Sequence, residues 1–239
     1  MVAIITQARI NSTRLPNKIF LQAGNHSFLY YHVQRLKKTC LPIIVATTDN
    51  GSEKPIVDFC EHAGLPFYCG EEQNVLKRYY ECAKKYNVST IIRVTSDCPL
   101  IDANLITKGL KSFKNENNDC TYYSNSFIRT YPRGMDYEIF SFKLLEEAFQ
   151  NAIENADKEH VTPYLWKNKS GNVIIKNDLA LQDNSNLRVT LDTAEDQLLL
   201  TKLIEEHQAI ELDSDGIVEI LKSNPDLIEI NKLIQQKKV

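Results

Sequence analysis

The first half of the sequence alternates between short apolar runs and amphipathic stretches, and this alternation constrains the possible folds more than any other feature. The apolar runs are rich in β-branched or aromatic residues, as buried strands are. They cover residues 2–6, 42–48, 66–69 and 90–96. Between them, apolar residues recur at the spacing of one helix face. The predicted helices are 28–38, 53–64 and 74–86. Strands that alternate with helices form a mostly parallel sheet, which binds ligands beyond the carboxyl ends of its strands.

The second half is organised differently. Two β-like runs within 119–141 flank a loop that contains Pro132 and Gly134. This pattern predicts either a mixed extension of the sheet or a protruding arm. The further predicted elements are a helix over 141–156, strands over 172–178 and 186–192, and helices from Thr193 onward. We therefore expect one α/β domain over 1–205 and a helical tail over 206–239 that packs on it.

The composition excludes several classes of protein. The 239-residue chain has a formal net charge of −3, which argues against a protein that binds duplex nucleic acid but leaves room for a local basic pocket. The six cysteines form no C-x-x-C pair and no cluster with zinc-ligand spacing, so we expect free thiols in a reducing cytoplasm. The first apolar run is too short for a secretory signal peptide, and no apolar run is long enough for a membrane span.

The loop after the first predicted strand, QARINSTRLPNK over 7–18, contains Arg9, Arg14 and Lys18 and no acidic residue. It lies where an α/β sheet exposes its ligand site, and three cations at that place suit a polyphosphate. The alternative is a solvated basic surface loop. The loop has neither the G-x-x-x-x-G-K-[ST] pattern of a P-loop nor the G-x-G-x-x-G pattern of a dinucleotide site.

Two aspartates that follow strand-like runs are candidate metal ligands. Asp97 comes directly after a predicted buried strand, and a carboxylate beside a polyphosphate is well used on Mg²⁺. The alternative for it is a turn aspartate that bonds its own backbone. For Asp192 taken alone, a helix cap is the stronger explanation, because two pairs have capping-box spacing: Asp192 with Glu195, and Thr193 with Asp196. If the two strands are neighbours, the two carboxylates converge and a metal site follows.

Further candidates for a binding pocket come from three other stretches. Gly70 follows a predicted strand and would let the backbone approach a nucleobase closely. Arg78, on the following helix, either faces the ligand or is solvated. Arg133, Asp136 and His160 could line a substrate pocket, although a single histidine on a helix is more often a structural hydrogen-bonding residue.

Seven stretches, taken in order, resemble one known family. They are QARINSTRLPNK, IVATT, CGEEQNVLKRYY, RVTSDCPLID, TYPRGMDYEIFS, EHVTPY and LRVTLDTAED. The combination resembles the SpsF-like cytidylyltransferases of spore-coat polysaccharide biosynthesis, which are related to the enzymes that make CMP-activated sialic, pseudaminic and 3-deoxy-octulosonic acids. The resemblance implies a Rossmann-like nucleotidyltransferase fold of the nucleotide-diphospho-sugar transferase type, a three-layer sandwich with a mostly parallel sheet and a mixed extension.

The resemblance also implies roles for residues. The nucleotide-binding residues would be Ala8, Arg9, Arg14, Lys18, Gly70, Asn74, Val75, Arg78, Thr95 and Asp97. Mg²⁺ would be bound by Asp97 and Asp192, and the acceptor by Arg133, Asp136 and His160. The catalytic residues would be Arg9, Lys18 and Asp97. The family commonly has glycines where this chain has Asn11 and Asn17; asparagine tolerates the left-handed conformation better than most residues.

The expected reaction is a Mg²⁺-dependent transfer of CMP from CTP to an acidic sugar or a phosphate-bearing acceptor, with release of pyrophosphate. One alternative is a glycosyltransferase that uses a nucleotide-sugar, but the only D-x-D pattern is DSD at 213–215, inside the helical tail. The other alternative is a non-catalytic nucleotide-binding module. We expect no nucleic-acid or membrane partner, and the segment 119–141 could pair across a homodimer.

Overall fold

The computed structural model describes residues 1–236, and strands alternate with helices through its first half as predicted. A seven-stranded sheet forms its centre, accompanied by a small two-stranded ribbon. In chain order the strands are β1 (Val2–Gln7), β2 (Gln22–Ala23), β3 (His26–Ser27), β4 (Ile43–Thr48), β5 (Phe67–Gly70), β6 (Thr90–Thr95), β7 (Thr121–Ser124), β8 (Glu138–Ser141) and β9 (Ile174–Asn177). The ribbon consists of β2 and β3.

The helices begin and end at residues that suit those positions. Side-chain oxygens of Ser27, Asn74, Asp102 and Ser141 accept backbone N–H groups at helix starts, and Gly64 ends a helix with a φ of 65°. In chain order the helices are α1 (Phe28–Lys37), α2 (Lys54–Ala63), α3 (Val75–Lys85), α4 (Ala103–Glu116), α5 (Phe142–Asn151), α6 (Asn155–His160), α7 (Pro163–Trp166), α8 (Ala194–Glu205), α9 (Ser214–Ser223) and α10 (Pro225–Glu229). A short 3-10 helix covers Lys18–Phe20.

The strands of the main sheet lie in the order β5-β4-β1-β6-β8-β7-β9. Strands β5, β4, β1 and β6 are parallel, β8 is antiparallel to both of its neighbours, and β9 is parallel to β7. Gln7 at the end of β1 is paired with Thr95 at the end of β6. The carboxyl ends of these two strands therefore meet at one edge of the sheet. The predicted α/β class, with a mostly parallel sheet and a mixed extension, is confirmed.

The two central strands are buried on both faces, which explains their continuous apolar sequences. On β1, Ala3 and Ile5 belong to one hydrophobic core and Ile4 belongs to the other. On β6, Ile91 and Ile92 divide in the same way. Helices α1, α4, α8 and α9 contribute to one core, and α3, α5 and α7 contribute to the other. The molecule thus has the three layers that the resemblance implied.

The predicted helix over 141–156 is wrong in its second half. Helix α5 ends at Asn151, and α6 begins only at Asn155. Ala152 between them is extended, with φ −72° and ψ 118°. The next residue, Ile153, is 84% exposed, so the burial of its side chain does not stabilise a continuation of α5.

The predicted strand over 186–192 is also wrong. The segment forms only an isolated bridge between Arg133 and Arg188, because its backbone bonds two different loops. It pairs with Arg133 at one end, whereas at the other end Leu191 N donates to Asp97 O at 2.8 Å. A continuous ladder is therefore not formed, yet the segment still reaches the carboxyl end of β6.

The segment 119–141 extends the sheet and does not form an arm. Its two strands, β7 and β8, pair with each other, and β8 also pairs with β6. The loop between them folds back on itself, because Asn125 Nδ2 donates to Met135 O and Tyr137 N donates to Asn125 Oδ1. The side chains of Met135 and Tyr137 are fully buried.

The tail after α8 packs on the same body. The buried Arg35 guanidinium donates to Ile210 O at 2.9 Å, and Leu221 of α9 joins the hydrophobic core that contains Ile4. Residues 237–239 of the predicted tail lie outside the described residues. No helix within 1–236 is both long and apolar enough to cross a membrane.

Candidate active site

Three segments meet at the carboxyl ends of β1 and β6. The basic loop follows β1, the turn at Asp97 follows β6, and the segment 186–192 hydrogen-bonds to that turn. The sheet edge thereby brings together side chains as far apart in sequence as Lys18 and Asp192, which are separated by 174 positions. This is the edge at which parallel α/β sheets bind their ligands.

Lys18 lies at the centre of this meeting point. Its Nζ is 2.8 Å from Asp97 Oδ2 and 2.8 Å from Asp192 Oδ1. The side chains of Lys18 and Asp192 are each 11% exposed, and that of Asp97 is 26% exposed. Two carboxylates therefore converge on one point in partly desolvated surroundings, where charge interactions are stronger than in water.

These three groups stabilise one another in their charged forms. Burial alone would raise the pKa of Asp97, but the Lys18 ammonium and the Thr95 hydroxyl hold that pKa well below its ordinary value. Burial and the Asp97 charge would likewise raise the pKa of Asp192, yet Lys18 and Arg14 keep it below the ordinary value. Burial lowers the pKa of Lys18, but the two carboxylates outweigh this effect and raise it. All three groups are therefore ionised at neutral pH.

Asp192 has two further cationic partners. Arg14 Nη2 and Arg188 Nη2 each lie 3.0 Å from Asp192 Oδ2. Arg188 also forms a forked ion pair with the fully buried Asp196, with both N–O distances at 2.8 Å. Asp196 forms the capping box of α8 together with Thr193. The capping role that competed for Asp192 thus belongs to Thr193 and Asp196, and the Asp192 carboxylate faces the cluster.

Two of the three cations in the basic loop have counter-charges. Arg14 and Lys18 pair with aspartates from distant segments. Arg9, in contrast, is exposed and makes no side-chain hydrogen bond or ion pair within the described part of the chain. Asn17, where the family commonly has glycine, adopts a left-handed φ of 56°, whereas Asn11 is not left-handed.

Arg78, on α3, is a buried cation that is only 2% exposed. Its Nη1 donates to Glu71 O at 3.3 Å, and its buried Nε makes no hydrogen bond within residues 1–236. Gly70 packs against it: a Cβ there would lie 3.1 Å from Arg78 Cγ and 2.8 Å from Tyr68 Cε1. Burial lowers the pKa of Arg78, and the positive charge of Arg9 adds to this effect. Arg9 and Arg78 are therefore close enough for the charge of one to disfavour the charge of the other.

The other predicted nucleotide-binding residues have structural partners of their own. The Asn74 side chain caps α3 by accepting Lys77 N at 3.0 Å, and Val75 packs in a core. Ala8 and Thr95 lie at the carboxyl ends of β1 and β6. Ala8 is 3% exposed and packs in a hydrophobic core, and the Thr95 hydroxyl lies 3.4 Å from Cys98 Sγ.

The predicted acceptor-binding residues fall in two places. Asp136 is bound through both of its oxygens by Arg129. The Arg133 guanidinium has no partner among residues 1–236; burial and the charge of Arg129 lower its pKa. His160 lies elsewhere: burial lowers its pKa, and the charges of Arg93 and Arg9 add to this effect. His160 is the last residue of α6, whereas Arg133 and Asp136 lie in the loop between β7 and β8.

The residues present fit a divalent cation that is shared with a bound polyphosphate. Asp97 and Asp192 direct one oxygen each at a common point, where Lys18 Nζ lies. Mg²⁺ is usually held by one or two carboxylates together with substrate phosphates and water. Among residues 1–236, no group of three or more His, Cys, Asp and Glu side chains could hold a metal by itself. The two aspartates would thus need a phosphate ligand to complete the coordination.

A protein-family model described as cytidylyltransferase matches residues 3–232, which is almost the whole chain. The chain belongs to the cytidylyltransferase family. It is therefore a nucleotidyltransferase enzyme, and the prediction of that enzyme class is confirmed.

Two relatives align with this cytidylyltransferase over nearly their full lengths. The uncharacterized protein MJ1063 of Methanocaldococcus jannaschii is 34% identical over 236 residues, which cover 98% of this chain and 95% of the relative. The spore coat polysaccharide biosynthesis protein SpsF of Bacillus subtilis is 27% identical over 244 residues, which cover 94% of this chain and 95% of the relative. The predicted resemblance to the SpsF-like group is confirmed.

Solved structures show the same fold. A cytidylyltransferase from Leptospira borgpetersenii superimposes with a TM-score of 0.89 at 30% identity, covering 99% of both chains. CMP:2-keto-3-deoxy-manno-octonic acid synthetase, solved in complex with CTP, superimposes with a TM-score of 0.62 at 16% identity, covering 86% of this chain and 99% of that chain. The second likeness shows the shared fold alone.

Sequence reasoning missed two groups at the site of this cytidylyltransferase. Arg188 could have been identified from the sequence. Alternate residues of an extended LRVTLD segment lie on one side, which places Arg188 on the same side as Asp192. The pairing of Arg129 with Asp136 left no comparable signal, since it depends on the path of a loop.

Proposed function

We propose that this cytidylyltransferase transfers CMP from CTP to an acidic sugar or a phosphate-bearing acceptor, in a Mg²⁺-dependent reaction that releases pyrophosphate. The observation that carries the proposal is the convergence of Lys18, Asp97 and Asp192 at the carboxyl ends of β1 and β6. We further propose that the product serves surface polysaccharide or glycoconjugate biosynthesis, which the name of the SpsF relative supports. The six free cysteines are consistent with a cytoplasmic location.

In the proposed reaction an acceptor oxygen attacks the α-phosphorus of CTP. A new oxygen–phosphorus bond forms as the bond from the α-phosphorus to the oxygen bridging to the β-phosphate breaks, and the acceptor proton passes to water. Such transfers depend on positioning and on neutralisation of charge, more than on covalent chemistry by the protein. Mg²⁺, when bound by Asp97 and Asp192, would neutralise charge on phosphate oxygens.

The cations of the basic loop would bind the triphosphate and then the leaving pyrophosphate. Arg9 is exposed and has no side-chain partner among residues 1–236, so its guanidinium is available to a phosphate without breaking an ion pair there. Lys18 and Arg14 are already held at the site by Asp192. Preorganised cations of this kind stabilise the charge that grows on the leaving group.

Arg133 is the reason for proposing an acceptor that carries a negative charge. Its guanidinium is partly buried and makes no ion pair within residues 1–236. Arginine binds carboxylates and phosphates through two parallel hydrogen bonds, so an acceptor with either group could use it. Asp136 would then act indirectly, because its carboxylate is engaged by Arg129.

The test is an incubation of the purified protein with CTP, Mg²⁺ and a panel of acidic sugars, sugar phosphates and polyol phosphates. We expect release of pyrophosphate with at least one acceptor and an equal amount of a CMP-linked product by mass spectrometry. Reactions with UTP, ATP and GTP measure the preference for the base.

Three outcomes would contradict the proposal. Consumption of a nucleotide-sugar without pyrophosphate would favour a glycosyltransferase. Tight binding of CTP without turnover across the whole panel would favour a non-catalytic module. Pyrophosphate release that does not need a divalent cation would exclude the proposed use of Asp97 and Asp192.

A further inference from the structure

The carboxylate of Asp196 lies behind Asp192 and accepts five hydrogen bonds. Two come from the Arg188 guanidinium at 2.8 Å each, and two from the backbone N–H groups of Asp192 at 3.0 Å and Thr193 at 3.1 Å. The fifth comes from Asn231 Nδ2 at 2.8 Å. Asp196 is fully buried. A buried carboxylate with this many donors is held in one orientation.

Arg188 connects this buried group to the active site. The Arg188 Nη2 that donates to Asp196 Oδ2 also lies 3.0 Å from Asp192 Oδ2. The other oxygen of Asp192, Oδ1, is then directed at Lys18 Nζ. A planar guanidinium has its donors in a fixed arrangement, so Arg188 can fix the relative orientation of two carboxylates.

The tail of the chain completes the arrangement. Asn231, which follows α10, is 5% exposed, and its side-chain amide donates to Asp196 Oδ1 at 2.8 Å and to Arg188 O at 3.2 Å. Gln236 Oε1 accepts from Arg188 Nη1 at 2.8 Å. The tail therefore bonds the side chain and the backbone of Arg188 as well as the carboxylate of Asp196.

We propose that Arg188 and Asn231 are positioning residues that orient the Asp192 carboxylate toward the metal and the nucleotide. This inference rests on the proposed function, since it assigns Asp192 to the metal. The segment after α10 then supports the chemistry of the site in addition to covering the core. Groups that orient a metal ligand from the second layer typically change metal affinity by about 10–100-fold when they are removed.

The test compares Asn231→Ala with the unsubstituted protein by Mn²⁺ binding in the presence of CTP, measured by electron paramagnetic resonance. We expect binding of Mn²⁺ to weaken about tenfold, with the KM for CTP at saturating metal unchanged. Asn224→Ala is the matched control, because Asn224 belongs to the same tail but, among residues 1–236, its side chain bonds only Ile220 O. The control should bind Mn²⁺ within about twofold of the unsubstituted protein.

Arg188→Lys is the second variant, and it decides the question where Asn231→Ala is too unstable to assay. A lysine keeps the charge but lacks the planar fork, so it cannot bond Asp196 and Asp192 together as arginine does. We expect the same loss of Mn²⁺ affinity in a protein that thermal unfolding shows to be folded.

A purely structural role would lower the melting temperature of both variants and leave their Mn²⁺ affinity equal to that of Asn224→Ala; that result would overturn the inference while leaving the proposed function intact. If the unsubstituted protein itself binds no Mn²⁺ with CTP, the proposed function is contradicted, and the inference fails with it.

Discussion

The two sides of the active site differ in how their charges are compensated. We name as the paired side the cluster of Arg14, Lys18, Asp97 and Asp192, and as the open side Arg9 and Arg78. On the paired side each charged side chain contacts an opposite charge of the protein itself. On the open side neither arginine forms an ion pair within the described part of the chain, and one buried guanidinium nitrogen has no hydrogen-bond partner there.

The cations of one basic loop therefore have two different environments. Lys18 and Arg14 keep two converging aspartates ionised and in place. In the proposed function these aspartates are the ligands of the metal. Arg9 leaves its charge available to an anion that the protein does not supply. Binding of a nucleotide would therefore supply the missing counter-charge on the open side and change the ion pairs on the paired side.

The largest expected effect is on the paired side. Asp97→Asn keeps the size of the side chain but removes a proposed metal ligand and one of the two partners of Lys18. By analogy with the loss of one preorganised charge-stabilising contact, the rate of pyrophosphate release should fall about 10²–10³-fold, or about 2.7–4 kcal/mol. Asp183→Asn is the control, because Asp183 is exposed and its side chain accepts from Ser185 N. Pyrophosphate release at the unsubstituted rate by Asp97→Asn would remove this residue from the chemistry.

The second prediction concerns the stability of the fold next to the paired side and how it depends on pH. His32 is fully buried, with Nε2 2.8 Å from Thr6 Oγ1 and Nδ1 2.8 Å from Cys98 O. Burial lowers the pKa of His32 from 6.5 to about 4. Between these two values the unfolded chain binds a proton that the folded chain does not bind. The free energy of unfolding should therefore decrease as the pH falls through this range, by about 3 kcal/mol in total.

Urea unfolding across this pH range, on the unsubstituted protein and on His32→Gln, measures the contribution. The Gln variant should lose less stability as the pH falls, since its side chain does not titrate. Identical pH dependence in the two proteins would show that His32 is not responsible.

The smallest of the three effects compares the two sides directly. Arg9→Ala removes a cation that is free to bind phosphate, so kcat/KM for CTP should fall by about 30-fold, or about 2 kcal/mol. Arg14→Ala removes a cation that Asp192 already engages, so we expect a smaller loss, of about threefold to tenfold. Arg9→Lys should recover part of the activity, because it restores the charge without the planar fork. Equal losses in the two alanine variants would remove the distinction between the paired and the open side.

The fold was predictable because its signals are local. The strands around Ile5 and Ile92 are continuous apolar runs, and the rule that parallel strands expose ligand sites at their carboxyl ends was enough to place Asp97 beside the basic loop. The segment 186–192 has strand-like alternation but no ladder, because its partners are two loops and not a neighbouring strand. Strand formation there depends on distant contacts, which a local pattern does not contain.

The pairing of charges was less predictable than the placement of the residues that carry them. Lys18 and Asp97 are 79 positions apart, and nothing near either residue in the sequence identifies the other as its partner. The same is true of Asn231, which bonds Asp196 from a tail without a recognisable motif. Such pairs are determined by tertiary packing. They are the part of the site that required the structure.

The most direct test of the central claim is a crystal structure of the protein with CTP and Mn²⁺, with the metal located by its anomalous scattering. We predict a metal peak bound by both Asp97 and Asp192 and by phosphate oxygens, with Lys18 and Arg9 on the triphosphate. A metal bound away from both aspartates, or a triphosphate bound without contact to the basic loop, would contradict this prediction.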